Sequence, residues 1–412
     1  MPLELQPQLR DRLVAQLTER LERATVLANY VILTQSMDLA SIRSLPDKGE
    51  LAEALRAYIG ESPFDTFVES ELKKFRGRGP ILGAEEKPLA EVPEFGAPSR
   101  IAREVVDRFD SLPWQYELSV RLPNAVGGFL ATNVGRFDLS PHHRLVTGAD
   151  LRAFPLRHRR KSLDVLGLAN QSAWEDDATY FQVSMSGYVD GQPTEPFYRA
   201  RESLSAFFGL GIALGLFIDR TSRIRLGPDI EEYLVHRLSH NGWLEHHPLE
   251  VEEFHELGFH RVALATREPD KLRSSLDAIA TVLRAPAGAN IALAARWLFD
   301  SYCGQDALLQ YVQAAVAIEI LLGDENADPD VGLTALMANR CAYLIAKTPD
   351  ARGELIKLFR EIYKVRSKIV HRGKNRLNRQ EQQLFLALRD ICRSVIRAEQ
   401  ELLARAEQQR AK

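Results

Sequence analysis

The chain has 412 residues, of which 45% are hydrophobic and 26% charged, and its formal net charge at pH 7 is −3. This length exceeds one typical domain and is sufficient for sizeable cores, so we expect two or three structural units. A net charge this close to zero excludes a generic polyanion binder, and any contact with nucleic acid must use a local basic patch.

The cysteines and the hydropathy profile indicate the cellular compartment. Cys303, Cys341 and Cys392 are odd in number, far apart and without a C-x-x-C pair, which argues against a disulfide framework or a zinc ribbon. The N-terminus lacks a basic region followed by an apolar one, and the longest apolar stretch, 204–218, is too short to span a bilayer. These features predict a soluble, cytoplasmic protein without membrane contact.

The first 99 residues are predicted to form a helical N-terminal region. Apolar residues at three- and four-residue steps predict a helix over 6–35, with further helices around 49–59 and 63–76. The stretch 77–99 holds four prolines and four glycines, which is typical of an exposed linker.

Residues 100–285 are predicted to form an α+β domain, because the hydrophobic period changes here. Residues 114–122 alternate apolar and polar side chains, which predicts a half-buried strand, and we expect 129–134 to pair with it as a second strand. The other predicted elements are a strand over 181–189, a helix over 196–216, and short strands over 223–227 and 259–265. The sheet is expected to be mostly antiparallel.

Residues 286–412 are predicted to form an all-α bundle, after a break at 284–289. Within it, Asn378 is a suitable N-cap for the last helix, with Glu381 three residues later, and Gly373 lies where a glycine would end the preceding helix. The predicted helices cover 290–301, 306–322, 331–346, 353–372 and 379–408. The fold class is therefore α+β, a mixed helix and antiparallel-sheet region followed by a helical bundle.

Three other patterns allow a functional or a structural interpretation. The glycines at 209, 211 and 215 resemble a nucleotide loop only superficially, because a helix precedes them and no Walker lysine follows, so we favour close helix packing. Residues 236–260 hold six of the ten histidines. His236 and His240 would share one face of a helix, but no third metal ligand is fixed by spacing. We favour scattered surface histidines, and we expect no metal or cofactor.

A second basic cluster comprises His142, His143 and the run 152–161. Its cations either line a path for RNA phosphates or form a solvated face, and the second interpretation is the more common one for a charge run.

The segment from Arg366 to His371 combines fixed positive charge with a proton-transfer group, two group types that suit phosphodiester chemistry. Taken alone, the Arg-x4-His spacing is more often that of a solvated basic helix end, so both interpretations stay open at this point. Arginine keeps its proton and binds phosphate oxygens in a planar fork, while histidine exchanges a proton near neutral pH. The surrounding cations, with no acid between 366 and 379, are Lys368, Arg372, Lys374, Arg376 and Arg379. RNA carries its own nucleophile, the 2′-OH, so such a site needs no metal.

Three C-terminal segments together resemble the HEPN superfamily, and more closely its Apea-like branch. They are 295–301, the apolar helix 309–323 with its embedded Glu319, and 358–373 with the string Tyr-x-x-Arg-Ser-Lys-Ile-Val-His. The resemblance covers roughly 290–405. It implies a HEPN-type bundle and a metal-independent endoribonuclease, with Arg366 and His371 as the catalytic pair.

The resemblance also implies supporting residues and partners. Glu319 is a plausible partner of Arg366, in a catalytic role or as a structural ion pair, and Ser367 stands where active relatives often have Asn, Asp or His. Five helical residues separate Arg366 from His371 by about 140°. Family members commonly complete such sites with a second chain, so we expect a homodimer with a composite active site.

The resemblance alone implies a role in bacterial antiviral defence or as a toxin. The region before residue 286 would then sense a phage-derived or cellular trigger, or would recruit RNA. A non-catalytic dimerisation module that binds RNA or protein is the alternative.

Overall fold

The computed structural model describes residues 3–27, 30–33, 45–46, 48–73, 86–93, 95–151, 177–189, 194–219, 232–238, 243–248, 262–303, 306–323 and 332–410. Helices and antiparallel strands alternate before residue 265, and only helices follow. The predicted α+β class with a C-terminal helical region is confirmed.

The described helices are α1 (Pro7–Glu22), α2 (Glu50–Tyr58), α3 (Pro63–Leu72), α4 (Pro98–Asp110), α5 (Asn124–Asn133), α6 (Gly148–Leu151), α7 (Glu195–Ala213), α8 (Pro269–Arg284), α9 (Ala289–Asp300), α10 (Ala307–Leu322), α11 (Leu333–Ile345), α12 (Pro349–Arg372) and α13 (Arg379–Arg410). Most of the predicted helices agree with these bounds to within a few residues.

The described strands are β1 (Thr25–Leu27), β2 (Tyr30–Ile32), β3 (Lys87–Pro88), β4 (Trp114–Arg121), β5 (Phe137–Asp138), β6 (His143–Thr147), β7 (Thr179–Gly187), β8 (Phe217–Asp219), β9 (Glu232–Arg237), β10 (Trp243–Pro248) and β11 (Val262–Leu264). They form a small sheet β2-β1-β3, a six-stranded sheet β10-β9-β4-β7-β6-β5 and the pair β11-β8. Strands β6 and β7 are antiparallel, with His143 opposite Val183.

The chain forms two compact units. The first comprises 1–116, 185–200 and 237–241, and the second comprises 117–184, 201–236 and 242–412. The domain boundary predicted after residue 285 lies within the second unit, where α8 and the helical residues from 286 are bent by 103°. The separate roles assigned to the three sequence regions stay predictions.

Aromatic packing dominates the core of the first unit. Phe67 lies 4.6 Å from Tyr188, 5.2 Å from Phe109 and 5.9 Å from Trp114, measured between ring centroids. Such pairs contribute about 0.5–1.5 kcal/mol each beyond the area they bury. Glu71, next to this cluster, is 1% exposed; Arg108 compensates its charge in an ion pair of 2.8 Å, and the Tyr188 hydroxyl donates to it over 2.8 Å.

The strand β4 is more buried than its alternating sequence predicted. Its polar residues Glu117 and Ser119 are 7% and 0% exposed. Glu117 Oε1 accepts hydrogen bonds from Arg144 and from Ser184 Oγ, and Ser119 Oγ accepts one from Gln182. The half-buried prediction was wrong because β4 is a central strand whose polar face forms its own hydrogen-bond network.

Two sequence predictions are corrected by strand pairing. The helix predicted over 6–35 ends at Glu22, because residues 25–27 instead pair antiparallel with 30–32 and with Lys87–Pro88. Part of the predicted linker is therefore a strand, and its residues 77–85 lie outside the described ranges. The predicted strand 129–134 belongs to α5, and β7 takes its place beside β4.

Of the strand predicted over 259–265, residues 262–264 form β11 and residues 259–261 lie outside the described residues, as does the strand predicted over 223–227. The strand predicted over 181–189 is present as β7.

The glycines of α7 permit close packing, as predicted from the sequence. A Cβ placed on Gly209 would lie 1.8 Å from the carbonyl oxygen of Ala295 on α9, and one on Gly211 would lie 2.2 Å from the Phe217 ring. The interpretation as a nucleotide loop is thus unnecessary, because both glycines face protein atoms at van der Waals distance.

The long helix α13 is the common partner of the C-terminal helices, since it contacts each helix from α8 to α12. Leu388, Val395 and Ile396 on its inner face are fully buried. Within the described residues, no single helix is both long and apolar enough to cross a bilayer.

We predict that Gly209→Ala lowers the free energy of unfolding by at least about 2 kcal/mol, because its methyl group would overlap the Ala295 carbonyl. The control is Gly353→Ala in α12, where an added Cβ meets nothing within 4 Å. This control should stabilise the protein by about 0.5–1 kcal/mol through helix propensity. Urea unfolding of both variants measures the effects, and a Gly209→Ala protein as stable as wild type would contradict the packing.

We also predict that the stability of the protein depends on pH through His143. Burial, and to a smaller extent the charge of His142, lowers the pKa of His143 to about 4. The unfolded chain, with an ordinary histidine pKa near 6.5, binds more protons between pH 4 and 6.5, so stability falls as the pH drops through this window. In His143→Gln the loss of unfolding free energy from pH 7 to pH 5 should be smaller by about 1–2 kcal/mol. Equal losses in both proteins would refute a neutral His143.

Candidate functional site

The helix α12 carries the Arg366–His371 motif without interruption. Thr348 caps its start by accepting a hydrogen bond from the Ala351 amide, and Pro349 occupies the first turn. At its end Gly373 adopts the left-handed conformation, with φ 60° and ψ 38°, which glycine reaches without strain. The predicted stop at Gly373 is confirmed, and both motif residues lie on one regular helix.

The turn after α12 is pinned by a capping box at the start of α13. The Asn378 amide donates to Glu381 Oε2, and the Glu381 amide donates to Asn378 Oδ1, each over 2.9 Å. Burial raises the pKa of Glu381. The hydrogen bond from Asn378 and the charges of Lys374 and Lys368 have the opposite and larger effect, so the pKa of Glu381 is lowered. This reciprocal pair, predicted from the sequence, holds the basic turn 373–378 in one conformation.

Arg366 and Glu319 form a half-buried ion pair between α12 and α10. Arg366 Nη2 donates to Glu319 Oε2 over 3.3 Å, and Nε lies 3.2 Å from Oε1 without the angle of a hydrogen bond. The two side chains are 25% and 27% exposed. The predicted contact is therefore present, and Nη1 of Arg366 makes no hydrogen bond or ion pair with the described residues.

Two tyrosines that the sequence did not assign to the site support this pair. Tyr363, one turn before Arg366, is buried and stacks on Phe359 at 4.7 Å, and its pKa is raised by burial and then by the charge of Glu319. The Tyr311 hydroxyl donates to the Ile362 carbonyl over 3.0 Å and so joins α10 to α12. In the sequence, the only signal was that Tyr363 lies one helical turn before Arg366, since Tyr311 lies more than two turns from Glu319.

His371 lies exposed in the last turn of α12. On a regular helix it is about 140° around and about 7.5 Å along the axis from Arg366. Arg366 leans on α10, so one copy of α12 does not present both side chains on one face.

Most of the predicted phosphate-binding cations are exposed, namely Lys368, Arg372, Arg376 and Arg379. Ser367 is exposed as well. Lys374 differs from them, because its Nζ lies 3.0 Å from Glu381 and its side chain is 22% exposed. Its charge already stabilises the capping box, which makes it the weakest candidate for an RNA contact.

Arg340 caps the end of α10. Its Nη1 donates to the carbonyls of Leu322 and Gly323 over 3.2 and 3.4 Å. These bonds satisfy carbonyls that a helix end leaves open.

The alternative metal site loses its geometric basis. His236 lies in the strand β9, so the helical spacing to His240 does not apply, and His240 itself lies outside the described residues. In the part of the chain that the structure describes, no three His, Cys, Asp or Glu side chains are grouped to hold a metal ion. The run 152–161 also lies outside the described residues.

The three cysteines are buried, and none of them forms a disulfide. Burial raises the pKa of Cys341 to about 12 and that of Cys392 still further, so neither thiol is a nucleophile at neutral pH.

No protein-family model matches the chain, and comparisons with curated proteins and with solved structures found no significant match. The HEPN resemblance therefore rests on the residues quoted above.

We predict that Glu319 and Arg366 are energetically coupled. In a double-mutant cycle of Glu319→Gln, Arg366→Gln and the double variant, the coupling free energy should be about 1–2 kcal/mol, between the values typical of exposed and of buried pairs. Urea unfolding of the four proteins measures it. Additive effects of the two substitutions would show that the contact contributes nothing to stability.

Proposed function

We propose that the chain is a metal-independent endoribonuclease of HEPN type. The observation that carries this proposal is the Arg366 guanidinium, which Glu319 orients while Nη1 is left for a phosphate oxygen. Arg366 lies about two helical turns before the exposed basic turn. Arginine suits this task because its charge is permanent and its donors form a fixed fork.

In the proposed reaction the 2′-OH of the RNA attacks the adjacent phosphorus and loses its proton to water. Arg366 stabilises the additional negative charge on the non-bridging oxygens of the phosphorane. His371 donates a proton to the departing 5′-oxygen as the P–O bond breaks. The products are a 2′,3′-cyclic phosphate and a 5′-OH, and no metal or cofactor takes part. The exposed cations Lys368, Arg372, Arg376 and Arg379 would contact flanking phosphates.

We further propose that the site is composite. Because Arg366 and His371 do not share a face of α12, His371 of a second copy would act beside Arg366 of the first. A homodimer follows from this arrangement, and the number and spacing of the cysteines favour the cytoplasm. The defence or toxin role, with a phage-derived or cellular trigger sensed before residue 286, is proposed from the resemblance.

A non-catalytic RNA- or protein-binding dimer is the second candidate, and two observations favour it. Ser367 supplies a hydroxyl where active relatives often have Asn, Asp or His, and Glu319 compensates much of the charge of Arg366. Such a protein would bind RNA through the exposed cations without cleaving it.

We predict that the wild-type protein cleaves total RNA or tRNA in EDTA and that Arg366→Ala and His371→Ala each lower the rate about 10²–10³-fold, the loss typical of one charge-stabilising donor. Arg360→Ala, an exposed arginine on the same helix, is the matched control and should cleave normally. Gel electrophoresis measures the rate, and detection of a 2′,3′-cyclic phosphate identifies the chemistry.

The same variants test the composite site. A mixture of the Arg366→Ala and His371→Ala proteins contains heterodimers with one intact site, so activity should return on mixing. Unchanged inactivity would argue against a shared site. RNA binding without cleavage, even with candidate triggers, would favour the second candidate, and loss of activity in EDTA would refute the metal-free reaction.

A further inference from the structure

A cleft of about 500 Å³ opens on the first unit, at the C-terminal end of α2 and the first turns of α3 and α7. Its volume lies within the range of small-molecule sites. All of its lining residues belong to the first unit, whereas Arg366 and His371 belong to the second.

Backbone hydrogen bonds hold the floor of the cleft in place. The Glu195 amide donates to the Ile59 carbonyl over 3.4 Å, and the Tyr188 amide donates to the Tyr58 carbonyl over 2.9 Å. Ile59 is 3% exposed and Gly60 follows it, so this part of the lining is apolar and narrow. The cleft is therefore formed without a ligand.

The charged residues that line the cleft are Arg56, Glu61, Glu195 and Arg199, so the formal charges balance and binding of an anion depends on the guanidinium of Arg199. Its Nε lies 3.3 Å from Glu195 Oε1, in a pair whose side chains are 55% and 38% exposed, so the pair contributes little. Its Nη1 and Nη2 make no hydrogen bond or ion pair with the described residues. Two parallel N–H groups of this kind match a carboxylate or a phosphate.

Tyr198 adds an aromatic surface next to this charge. Its side chain is among the large exposed ones, with 42% of its area accessible, and it lines the same cleft. Thr66 on α3 provides a hydroxyl across from it. An apolar floor, an aromatic ring and an available guanidinium together select a small ligand with one anionic end and one planar or apolar end.

We propose that this cleft binds a small organic anion, in which Arg199 holds a carboxylate or phosphate and Tyr198 packs on an attached aromatic or apolar group. This site is independent of the proposed ribonuclease activity.

Calorimetric titration of the full chain with phenyl phosphate, benzoate, inorganic phosphate and benzyl alcohol tests the proposal. The two aromatic anions should bind more tightly than inorganic phosphate, and the uncharged alcohol should bind least. The comparison of the affinities for phenyl phosphate and benzoate shows whether the site prefers a phosphate or a carboxylate.

Arg199→Ala should weaken binding at least about tenfold, and Arg199→Lys should fall between it and wild type, since lysine keeps the charge but lacks the fork. Glu195→Gln should strengthen binding by removing a competing carboxylate. The matched control is Arg23→Ala, which removes an exposed arginine paired with Glu19 at the same i, i+4 spacing in the same unit. It should bind as wild type does.

Two results would overturn the proposal. One is the absence of heat from both aromatic anions up to about 10 mM, at which a site of this kind would be more than half filled. The other is equal affinity of wild type, Arg199→Lys and Arg199→Ala. If Arg199→Ala does not fold, Arg199→Lys and Tyr198→Ala are measured in its place. Both variants should bind phenyl phosphate less tightly than the wild-type protein does.

Discussion

The helical part of the second unit depends on where α13 begins. This helix contacts every helix from α8 to α12, so its position sets the position of the others. Its first turn is defined by the reciprocal hydrogen bonds between Asn378 and Glu381, and Lys374 adds an ion pair to the same carboxylate. Because only residues 373–377 join α12 to this capping box, the end of α12 lies close to the start of α13.

The second constraint on the candidate site is the pair between Arg366 and Glu319. An acid in the otherwise apolar helix α10 would be costly without a partner, and the guanidinium provides one. The same pairing lowers the net charge that a phosphate would meet at Arg366. Glu319 thus orients the Arg366 guanidinium and at the same time competes with a phosphate for it. Which of these two effects is stronger would decide between an enzyme and a binding module.

The sequence predicted the features that depend only on residues a few positions apart. The left-handed Gly373, the capping box and the apolar period of α10 and α12 are set by hydrogen bonds and side chains at most one or two turns apart. Burial of β4 was not predictable in this way, since Glu117 and Ser119 become tolerable inside a sheet only when Arg144 and Gln182 arrive from other strands. The predicted strand at 129–134 failed for a related reason, because β7 occupied the position beside β4.

The amino-acid sequence by itself determined the Arg366–His371 spacing, the basic turn and the ends of the two helices that enclose it. Only the tertiary structure decided that Glu319 reaches Arg366 and that Lys374 is already paired with Glu381. Helix caps and periods follow from neighbouring residues, whereas Glu319 lies 47 positions from Arg366 and meets it only after α10 and α12 pack. The cleft at Arg199 likewise exists only because α7 packs beside α2 and α3, which lie more than 120 residues earlier in the chain.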